Sequence, residues 1–467
     1  MFRKRRWLAL LAAAALVLAA CADDETTTPT TAEPGDTTPP DEETTTTVGE
    51  LTDSFRGVTA ESIKLGFAII DYECIAPFVD NNHGDQDAAL DAMVEWINDN
   101  DGILGRRIEV VKRVYCPIDP TAPNGSLAAC TAFTEDDEVF AVIGVFIDFS
   151  GEAQLCLSRD HETIHIGHEL EARFISEAPP ALMLTPGSTA ERLTDVLLNL
   201  LEQEGTLDGL TVAVLTDQDT EARANLAAER LEEMGLELGS TAVLTIITED
   251  TAQAQTQLDS FIERWKGEDI GALFVAGARA GDDQFITKIK DAFPDLVLLF
   301  DMPSGAAGAG QDAKAAGLDP NPYQGALSAG GESASDRWAD KSESLQLCVD
   351  IYEAASGEPL PGPDEVPTVD DKRVDQYIAV EDFCGEILFF KQIAELAGAD
   401  LTNDTWTAAA NSIGTMELPT TDNASICEGK YEADNGFQLV EFDEAASDAG
   451  DFAGITDIVD ASDGACG

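Results

Sequence analysis

The sequence predicts an α/β protein of two lobes, each built on an open, mainly parallel sheet. From Ile63 onward, short apolar runs alternate with helical patterns, which is typical of a parallel sheet with helices on both faces. A second set of the same pattern begins after residues 176–188, whose prolines and small residues suit a crossing between lobes. The folded part, about 415 residues after Glu50, is also long for a single core and fits two lobes.

The first lobe is predicted for residues 51–180 and the second for residues 181–320. In the first lobe, the predicted strands are 63–70, 107–114, 139–145 and 163–167, and the predicted helices are 85–100, 124–136 and 152–160. In the second lobe, the predicted strands are 210–216, 241–247, 270–277 and 295–301, and the predicted helices are 191–204, 221–235, 252–265 and 283–292. The two predicted lobes have similar architecture, but the sequence contains no tandem repeat.

Residues 321–467 are predicted to form a return segment that both lobes share. The preceding Gly- and Ala-rich stretch 304–317 is predicted to be mobile or a short helix, and 323–331 to be a strand leading back. Two long helices are predicted at about 335–356 and 373–398. The last 65 residues are predicted to be loop-rich.

The first 20 residues predict export. A basic start is followed by an apolar run from Trp7 to Ala20, which is too short to span a bilayer comfortably and indicates a secretory signal. Leu18–Cys21 resembles the bacterial lipobox, which implies cleavage before Cys21 and attachment of lipid to its sulfur. The alternative is an ordinary signal peptide with a chance cysteine. We expect an extracytoplasmic protein whose lipid is its only anchor, at the outer face of the cytoplasmic membrane.

The segment that follows Cys21 is predicted to be a disordered tether. Residues 22–50 contain 11 Thr, 9 Asp or Glu, 4 Pro and no Lys or Arg, so they cannot bury a core. Without the signal, 23 Lys or Arg stand against 89 Asp or Glu, a net charge of −66. This charge argues against nucleic acid or an anionic lipid surface as a partner. Because the acids are spread along the chain, they indicate a solvated surface suited to saline surroundings.

Several stretches together resemble the branched-chain amino-acid-binding family, the solute-binding proteins of ABC importers. These are "RGVTAESIKLGFAII" (56–70), "WINDNDGILGRRIEVVKRVY" (96–115), "LTVAVLTDQD" (210–219), "IGALFVAG" (270–277) and "EILFFKQIAELAGAD" (386–400). The resemblance covers nearly all of residues 57–415. It implies the type I periplasmic-binding-protein fold, two Rossmann-like lobes joined by a multi-crossing hinge, and a monomer that binds a small molecule and meets ABC permease subunits in the membrane.

Three of the four histidines lie in "RDHETIHIGHELE" (159–171), which raises the question of a metal site. The predicted layout makes 163–167 a strand, which puts His165 in the sheet layer as a core histidine and His161 in the turn before it. His168, just past the carboxyl end, then points toward the cleft. The spacing is not the His-Glu-x-x-His of zinc peptidases, so no metal site and no hydrolase activity is expected.

In open α/β sheets, ligands bind beyond the carboxyl ends of the strands. In the first lobe, the candidate ligand contacts at these ends are Tyr72, Phe146, Asp148, Ser150, His168 and Glu169. The resembled family often places small hydroxyl residues and amides after the third strand to hold an amino acid's carboxylate. Here only Ser150 has such a hydroxyl or amide side chain, which weakens the case for an ordinary α-amino acid as the ligand.

In the second lobe, the candidate contacts are Asp217, Arg279 and Asp301. Asp217 matches the Asp of a loop that usually has the sequence Asp-x-x-Tyr-Gly in the resembled family; the Tyr and the Gly are missing here. Arg279 could pair with a ligand carboxylate in bidentate fashion. Asp301 matches approximately the position of a carboxylate that holds the ligand amine in relatives. Each could instead be a solvated loop residue.

Eight cysteines remain after Cys21, an even number in an exported protein, so four disulfides are expected. The predicted layout favours the pairs Cys74–Cys116, Cys130–Cys156, Cys348–Cys384 and Cys427–Cys466. The main competing arrangement pairs Cys116 with Cys130.

The function that we expect is capture of a small polar organic molecule, such as an amino acid, an amide or a related compound, for delivery to an ABC importer. No catalytic residue and no cofactor are expected, because the sequence has no nucleophile–base pair, metal-ligand spacing or phosphate-cradling loop. The alternatives are a ligand-sensing surface receptor of the same fold and, from the enzyme class, a surface metallohydrolase.

Overall fold

The computed structural model of the chain describes residues 50–75, 81–117, 121–146, 151–168, 170–247, 251–369, 372–447, 450–462 and 466. The predicted signal segment, Cys21 and the tether as far as residue 49 lie outside these residues. Residues Val48–Gly467 form one compact unit. Within the described part of the chain, no helix combines the length and the apolar character that crossing a membrane requires.

The first lobe is built on a parallel sheet of five strands in the order β3-β1-β4-β5-β6. In chain order, these strands are β1 (Ser62–Ile70), β3 (Arg107–Tyr115), β4 (Ala141–Ile143), β5 (Ile164–Ile166) and β6 (Met183–Leu184), and the short strand β2 (Asn81–Asn82) lies outside this sheet. The helices are α1 (Tyr72–Ile75), α2 (Gln86–Asp99), α3 (Ser126–Thr131), α4 (Glu152–Leu155) and α5 (Ala172–Glu177). Strand β1 is central in the sheet, between β3 and β4. Its two faces are also covered, because Leu65, Phe67 and Ile69 pack with α2 and with the later helix α13 (Gln376–Ala397), whereas Ala68 and Ile70 pack in a second cluster with α3, and this explains its apolar run.

The second lobe repeats the arrangement. Its strands are β7 (Thr211–Asp217), β8 (Glu237–Leu244), β9 (Ala272–Ala276), β10 (Val297–Phe300) and β11 (Leu327–Gly330). Its helices are α6 (Ala190–Glu204), α7 (Glu221–Glu233), α8 (Ala252–Glu268), α9 (Asp283–Ala292) and α10 (Pro303–Ala315). These five strands are parallel, in the order β11-β10-β9-β7-β8. The predicted α/β fold with mainly parallel sheets is confirmed.

The return segment supplies elements to both lobes. Its helices are α11 (Ala334–Ala339), α12 (Glu343–Ser356), α13 (Gln376–Ala397) and α14 (Asn403–Ala410). Its strands are β12 (Thr368–Val369), β13 (Lys372–Val374), β14 (Gly414–Leu418), β15 (Thr421–Ile426), β16 (Gly436–Asp443), β17 (Asp451–Gly454) and β18 (Val459–Asp460). Helices α12 and α13 pack against α2 in the core of the first lobe, whereas β16 and β17 extend the second sheet in antiparallel fashion.

The return segment and the stretch before it differ from the prediction in three places. The Gly- and Ala-rich stretch forms the 13-residue helix α10, which begins with Pro303 and packs Gly310 against the ring of Phe442. The first long helix is divided into α11 and α12, and Ser342 caps the second by accepting from the amide of Leu345. The last 65 residues are not loop-rich, because they contain strands β14 to β18.

Within the described residues, three chain segments cross between the lobes. They are residues 185–189, 331–333 and 427–435. The first and third crossings pair with each other, since the amide of Thr185 donates to the carbonyl of Tyr431 and the amide of Ala433 donates to the carbonyl of Thr185, both at 3.0 Å. The Gln438 side chain joins the second crossing by donating to the carbonyl of Gly331 at 3.1 Å. The first crossing starts later than predicted, because β6 still belongs to the first sheet.

Four disulfides stabilise the fold. They are Cys74–Cys116, Cys130–Cys156, Cys348–Cys384 and Cys427–Cys466, the pairs that the sequence favoured over the alternative. Cys348 and Cys384 join α12 to α13 inside the first-lobe core, where both are fully buried.

Candidate functional site

The carboxyl ends of both sheets adjoin the crossings between the lobes, and we call the region between these ends the cleft. The first crossing leaves the first sheet at the carboxyl end of β6, and the second crossing leaves the second sheet at the carboxyl end of β11. The edge of each sheet that carries the strand-to-helix loops therefore adjoins the crossings. Two contacts join the lobes near this cleft: the amide of Ala172 donates to Glu191 at 3.0 Å, and Arg373 of β13 donates to Gln311 of α10, also at 3.0 Å.

On the second-lobe side, the carboxylates are already paired with arginines. Arg279 donates to Asp217 at 3.0 Å and also to Asp219. Arg223 of α7 lies 3.1 Å from an oxygen of Asp301, and both groups are buried. The amide of Gly277 donates to both oxygens of Asp301, at 3.2 and 3.1 Å.

The charge of Asp301 is compensated by this arrangement. Burial raises the pKa of Asp301, while the guanidinium of Arg223 and the amide of Gly277 oppose the rise. For Arg223, burial acts to lower the pKa, but Asp301 and then Glu171 and Glu191 raise it overall. Glu171 belongs to the first lobe, so the arginine also interacts electrostatically across the cleft.

On the first-lobe side, a cluster of ionisable side chains lies at the carboxyl ends of β1 and β4. The cluster consists of His83, His168, Asp382 and Glu386, and we call it the histidine–carboxylate cluster. Nε2 of His168 lies 3.8 Å from Asp382 and 3.5 Å from Glu386. His83 lies before α2 and stacks at a tilt on Tyr72, with the ring centroids 5.0 Å apart.

Burial determines the protonation of this cluster. It lowers the pKa of His83 to about 4, with a smaller contribution from His168, and lowers the pKa of His168 to about 4. Both imidazoles are therefore neutral at pH 7. Burial, and then the charge of Asp382, raise the pKa of Glu386 well above its ordinary value. The side chain of Glu386 is 0% exposed.

A small cavity opens beside the cluster. Its volume is about 10 Å³, space for a single group of the size of a water molecule. The walls are formed by Ala68, Ile70, His83, Gln86, Val145, Ala379, Asp382, Phe383 and Glu386.

The chain matches the model of one protein family. The model, described as periplasmic binding protein, matches residues 80–449, which is most of the chain. The chain belongs to the periplasmic binding protein family. The family consists of solute-binding proteins and implies an extracytoplasmic location for this chain.

Solved structures of ABC-transporter solute-binding proteins share the fold of this periplasmic binding protein. A protein from Rhodopseudomonas palustris, in complex with 3,4-dihydroxybenzoic acid, has a TM-score of 0.57 and 15% identity, covering 86% of this chain and 98% of its own. A protein from Desulfitobacterium hafniense, in complex with Leu, has a TM-score of 0.57 and 15% identity, covering 85% and 100%. The substrate-binding protein of a fatty acid ABC transporter from Thermomonospora curvata has a TM-score of 0.57 and 14% identity, covering 88% of this chain and 95% of its own. No curated protein sequence matches the chain.

The periplasmic binding protein places some predicted contacts together and others apart. Tyr72 and His168 both lie beside His83, at the first-lobe edge. Asp217 and Arg279 bind each other at the second-lobe edge. Asp148, Ser150 and Glu169 lie outside the described residues.

Two of the predicted ligand contacts are engaged within the fold in this structure. Phe146 is 1% exposed and packs against the rings of Tyr115 and His165, with centroids 5.0 and 5.9 Å away, so it belongs to the core rather than to the cleft surface. Asp301 binds Arg223 and the amide of Gly277, so in this structure it does not offer an open carboxylate to a ligand amine. His165 is fully buried in β5, where the prediction of a core histidine put it.

The sequence reasoning missed His83, Arg223, Asp382 and Glu386. His83 is the one histidine outside residues 159–171, and the sequence around it forms no recognisable motif. Glu386 had a usable signal, because it interrupts the apolar sequence "FCGEILFF" of a helix that is buried over most of its length. A carboxylate in such a run is costly to bury, so it indicates a specific role or partner.

Proposed function

We propose that this periplasmic binding protein captures a small polar organic solute in the cleft between its lobes and delivers it to an ABC permease. The observation that carries the proposal is the pair of parallel sheets whose carboxyl ends, with their polar side chains, border one cleft next to three crossings. Sheets of this kind bind ligands at these ends, and two lobes joined by a hinge can close on the ligand.

The solute class in this proposal is an amino acid, an amide or a related compound. The solved relatives named above include proteins in complex with 3,4-dihydroxybenzoic acid and with Leu, so one fold accommodates different polar molecules. The side chains at this chain's own cleft are carboxylates, arginines and imidazoles, which are suited to polar groups. No reaction is part of the proposal: the chain is proposed to bind and release the solute unchanged.

The anchoring is proposed from the amino-terminal sequence. Cys21 carries the lipid, and residues 22–50 hold the folded part, as a monomer, at a distance from the outer face of the cytoplasmic membrane. A lipid anchor keeps the binding protein close to its permease. Metabolic labelling with a fatty acid tests this proposal. The wild-type chain should become labelled and stay with the membrane fraction, whereas Cys21→Ala should lose the label, and equal labelling of both would contradict the proposal.

Solute capture is tested by thermal unfolding of the compact unit Val48–Gly467 against amino acids, amides, polyamines, aromatic acids and zinc. A ligand that binds only the folded state stabilises it by about 2.7 kcal/mol at 100 times its dissociation constant. We expect one organic solute, or a few related ones, to raise the melting temperature sharply. Stabilisation by zinc alone, or by no member of a broad panel, would contradict the proposal.

A further inference from the structure

The cavity beside the histidine–carboxylate cluster lies at the first-lobe edge of the cleft. Ile70 is the last residue of β1, and Val145 lies just past the end of β4, so the cavity is at the carboxyl ends of these strands. Asp382 and Glu386 reach it from α13. The inference below rests on the proposed function and concerns the part of the solute that meets the first lobe.

Glu386 lines this cavity with a carboxyl group that has no hydrogen-bond partner. Its side chain is fully buried, and neither of its oxygens takes part in a hydrogen bond within the described structure. The imidazole of His168 is 3.5 Å away, but its Nε2 also lacks a hydrogen-bond partner. Because an unpartnered buried polar group is costly to the fold, this carboxyl group indicates a partner that the solute supplies.

Glu386 is uncharged in the free protein. Among the described residues, no arginine or lysine forms an ion pair with it, and an unpaired carboxylate at a fully buried position is far more costly than a neutral carboxyl group. Burial, and then the charge of Asp382, raise the pKa of Glu386 well above its ordinary value. A neutral carboxyl group donates a hydrogen bond, whereas a carboxylate only accepts. Glu386 therefore offers the solute a buried O–H donor.

The other walls of the cavity do not compensate a charge on the solute. No lysine or arginine of the described residues lines the cavity, so a carboxylate would find no cation there. His83 is neutral at pH 7, because burial lowers its pKa to about 4. Asp382 has an interaction of its own within the chain, so it is not a free counterion for an ammonium group. The cavity is therefore suited to an uncharged group.

The size of the cavity selects among uncharged groups. Its volume of about 10 Å³ admits one water-sized group, which fits a hydroxyl, whereas a carboxamide brings two polar heavy atoms. The side-chain amide of Gln86 already donates to the carbonyl of Ile70 at 2.9 Å. Glu386 is thus the wall residue whose polar atoms have no partner and can bind the hydroxyl.

We propose that the solute carries a hydroxyl group, and that this hydroxyl enters the first-lobe cavity and accepts a hydrogen bond from the neutral carboxyl group of Glu386. Glu386 then acts as a specificity-determining residue. It binds an uncharged oxygen and disfavours a charged group, whether ammonium or carboxylate, at this end of the solute. No proton leaves Glu386 on binding.

Titration calorimetry on the compact unit Val48–Gly467 tests the inference with probes that differ in one terminal group. One set is 4-hydroxybutanoate, 4-aminobutanoate, succinate and pentanoate, and a second is 4-hydroxyphenylacetate, 4-carboxyphenylacetate and 4-methylphenylacetate. Any organic solute that the thermal screen identifies is compared with its own analogue without a hydroxyl group. We expect a hydroxyl probe to bind and its counterparts to bind about tenfold more weakly or less, because loss of one partner of a buried hydrogen bond has an effect of that size.

Two substitutions of Glu386 separate an uncharged contact from a charged one. Glu386→Met removes the hydrogen bond and should weaken binding of the hydroxyl probe about tenfold or more. Glu386→Gln keeps an uncharged donor of similar shape and should retain the affinity within about threefold. Since Glu386→Met replaces an unpartnered buried polar group by an apolar one, it should keep or exceed the wild-type melting temperature, which separates a lost contact from a lost fold.

Glu395→Met is the matched control. Glu395 lies about two and a half turns further along the same helix and pairs with Lys391 at the surface. The same change of side chain there should leave binding like that of the wild type.

The outcomes distinguish the inference from the proposed function. Tight binding of a solute without a hydroxyl group, or hydroxyl binding that Glu386→Met leaves unchanged, overturns the inference and leaves solute capture standing. In the second case, the cavity holds only water. Equal losses in Glu386→Met and Glu386→Gln also overturn it, because they show a charged contact. Failure of every probe and of every member of the wider solute panel overturns both.

Discussion

Arg223 and Asp301 form a buried ion pair at the carboxyl edge of the second sheet, with Nη1 and Oδ2 3.1 Å apart. Loss of one partner leaves the other charge buried and unpaired, which costs about 3–5 kcal/mol. We expect Arg223→Met to lower the free energy of unfolding by about 3 kcal/mol in urea denaturation. Arg230→Met is the control on the same helix, and it should cost about 1 kcal/mol or less, because Arg230 and its partners Asp195 and Glu233 are solvated. Equal losses would contradict a structural role for the Arg223 pair.

His165 should make the fold sensitive to acid. Burial lowers its pKa to about 3 in the folded state, against about 6.5 when unfolded, so the unfolded chain binds the proton first as the pH falls. The contribution of neutral His165 to the free energy of unfolding is complete above pH 6.5 and is lost as the pH falls from 6.5 to 3. Between pH 6.5 and 5, wild-type stability should fall by about 2 kcal/mol more than that of His165→Leu. His161→Gln, a change at a partly exposed histidine, should follow the wild type, and parallel curves for all three proteins would refute the prediction.

The fold was largely predictable, because its strands form long apolar runs that alternate with amphipathic helices. Helix α10 was uncertain, since glycine lowers helix propensity; in the structure, Ala306, Gly310 and Ala313 are buried, and Gly310 packs against Phe442. Strands β14 to β18 were missed: among the described strands, β14 and β15 pair only with each other, and β16 joins the second sheet by pairing with the distant strand β11. The site was less predictable still: Asp301 was identified, but Arg223, which binds it, lies on another element and follows no spacing rule. His83 and Glu386 meet only through the packing of α2 against α13.

The disulfide Cys348–Cys384 should contribute substantially to stability. It closes a loop with a sequence separation of 36 between two helices of the first-lobe core. The chain-entropy relation gives about 3–4 kcal/mol for a loop of this length. We expect the double variant Cys348→Ala/Cys384→Ala to lose about that amount in urea denaturation. A loss below about 1 kcal/mol would show that packing alone holds α12 to α13.

The central claim is that one solute binds between the two lobes. Hydrogen exchange measured by mass spectrometry, with and without the solute found in the thermal screen, locates the binding directly. The account predicts slower exchange at the first-lobe strand ends near Ile70–Ile75 and, in the same sample, at the second-lobe end of β7 through Arg223. Protection confined to one lobe, or to segments away from both strand edges, would contradict it.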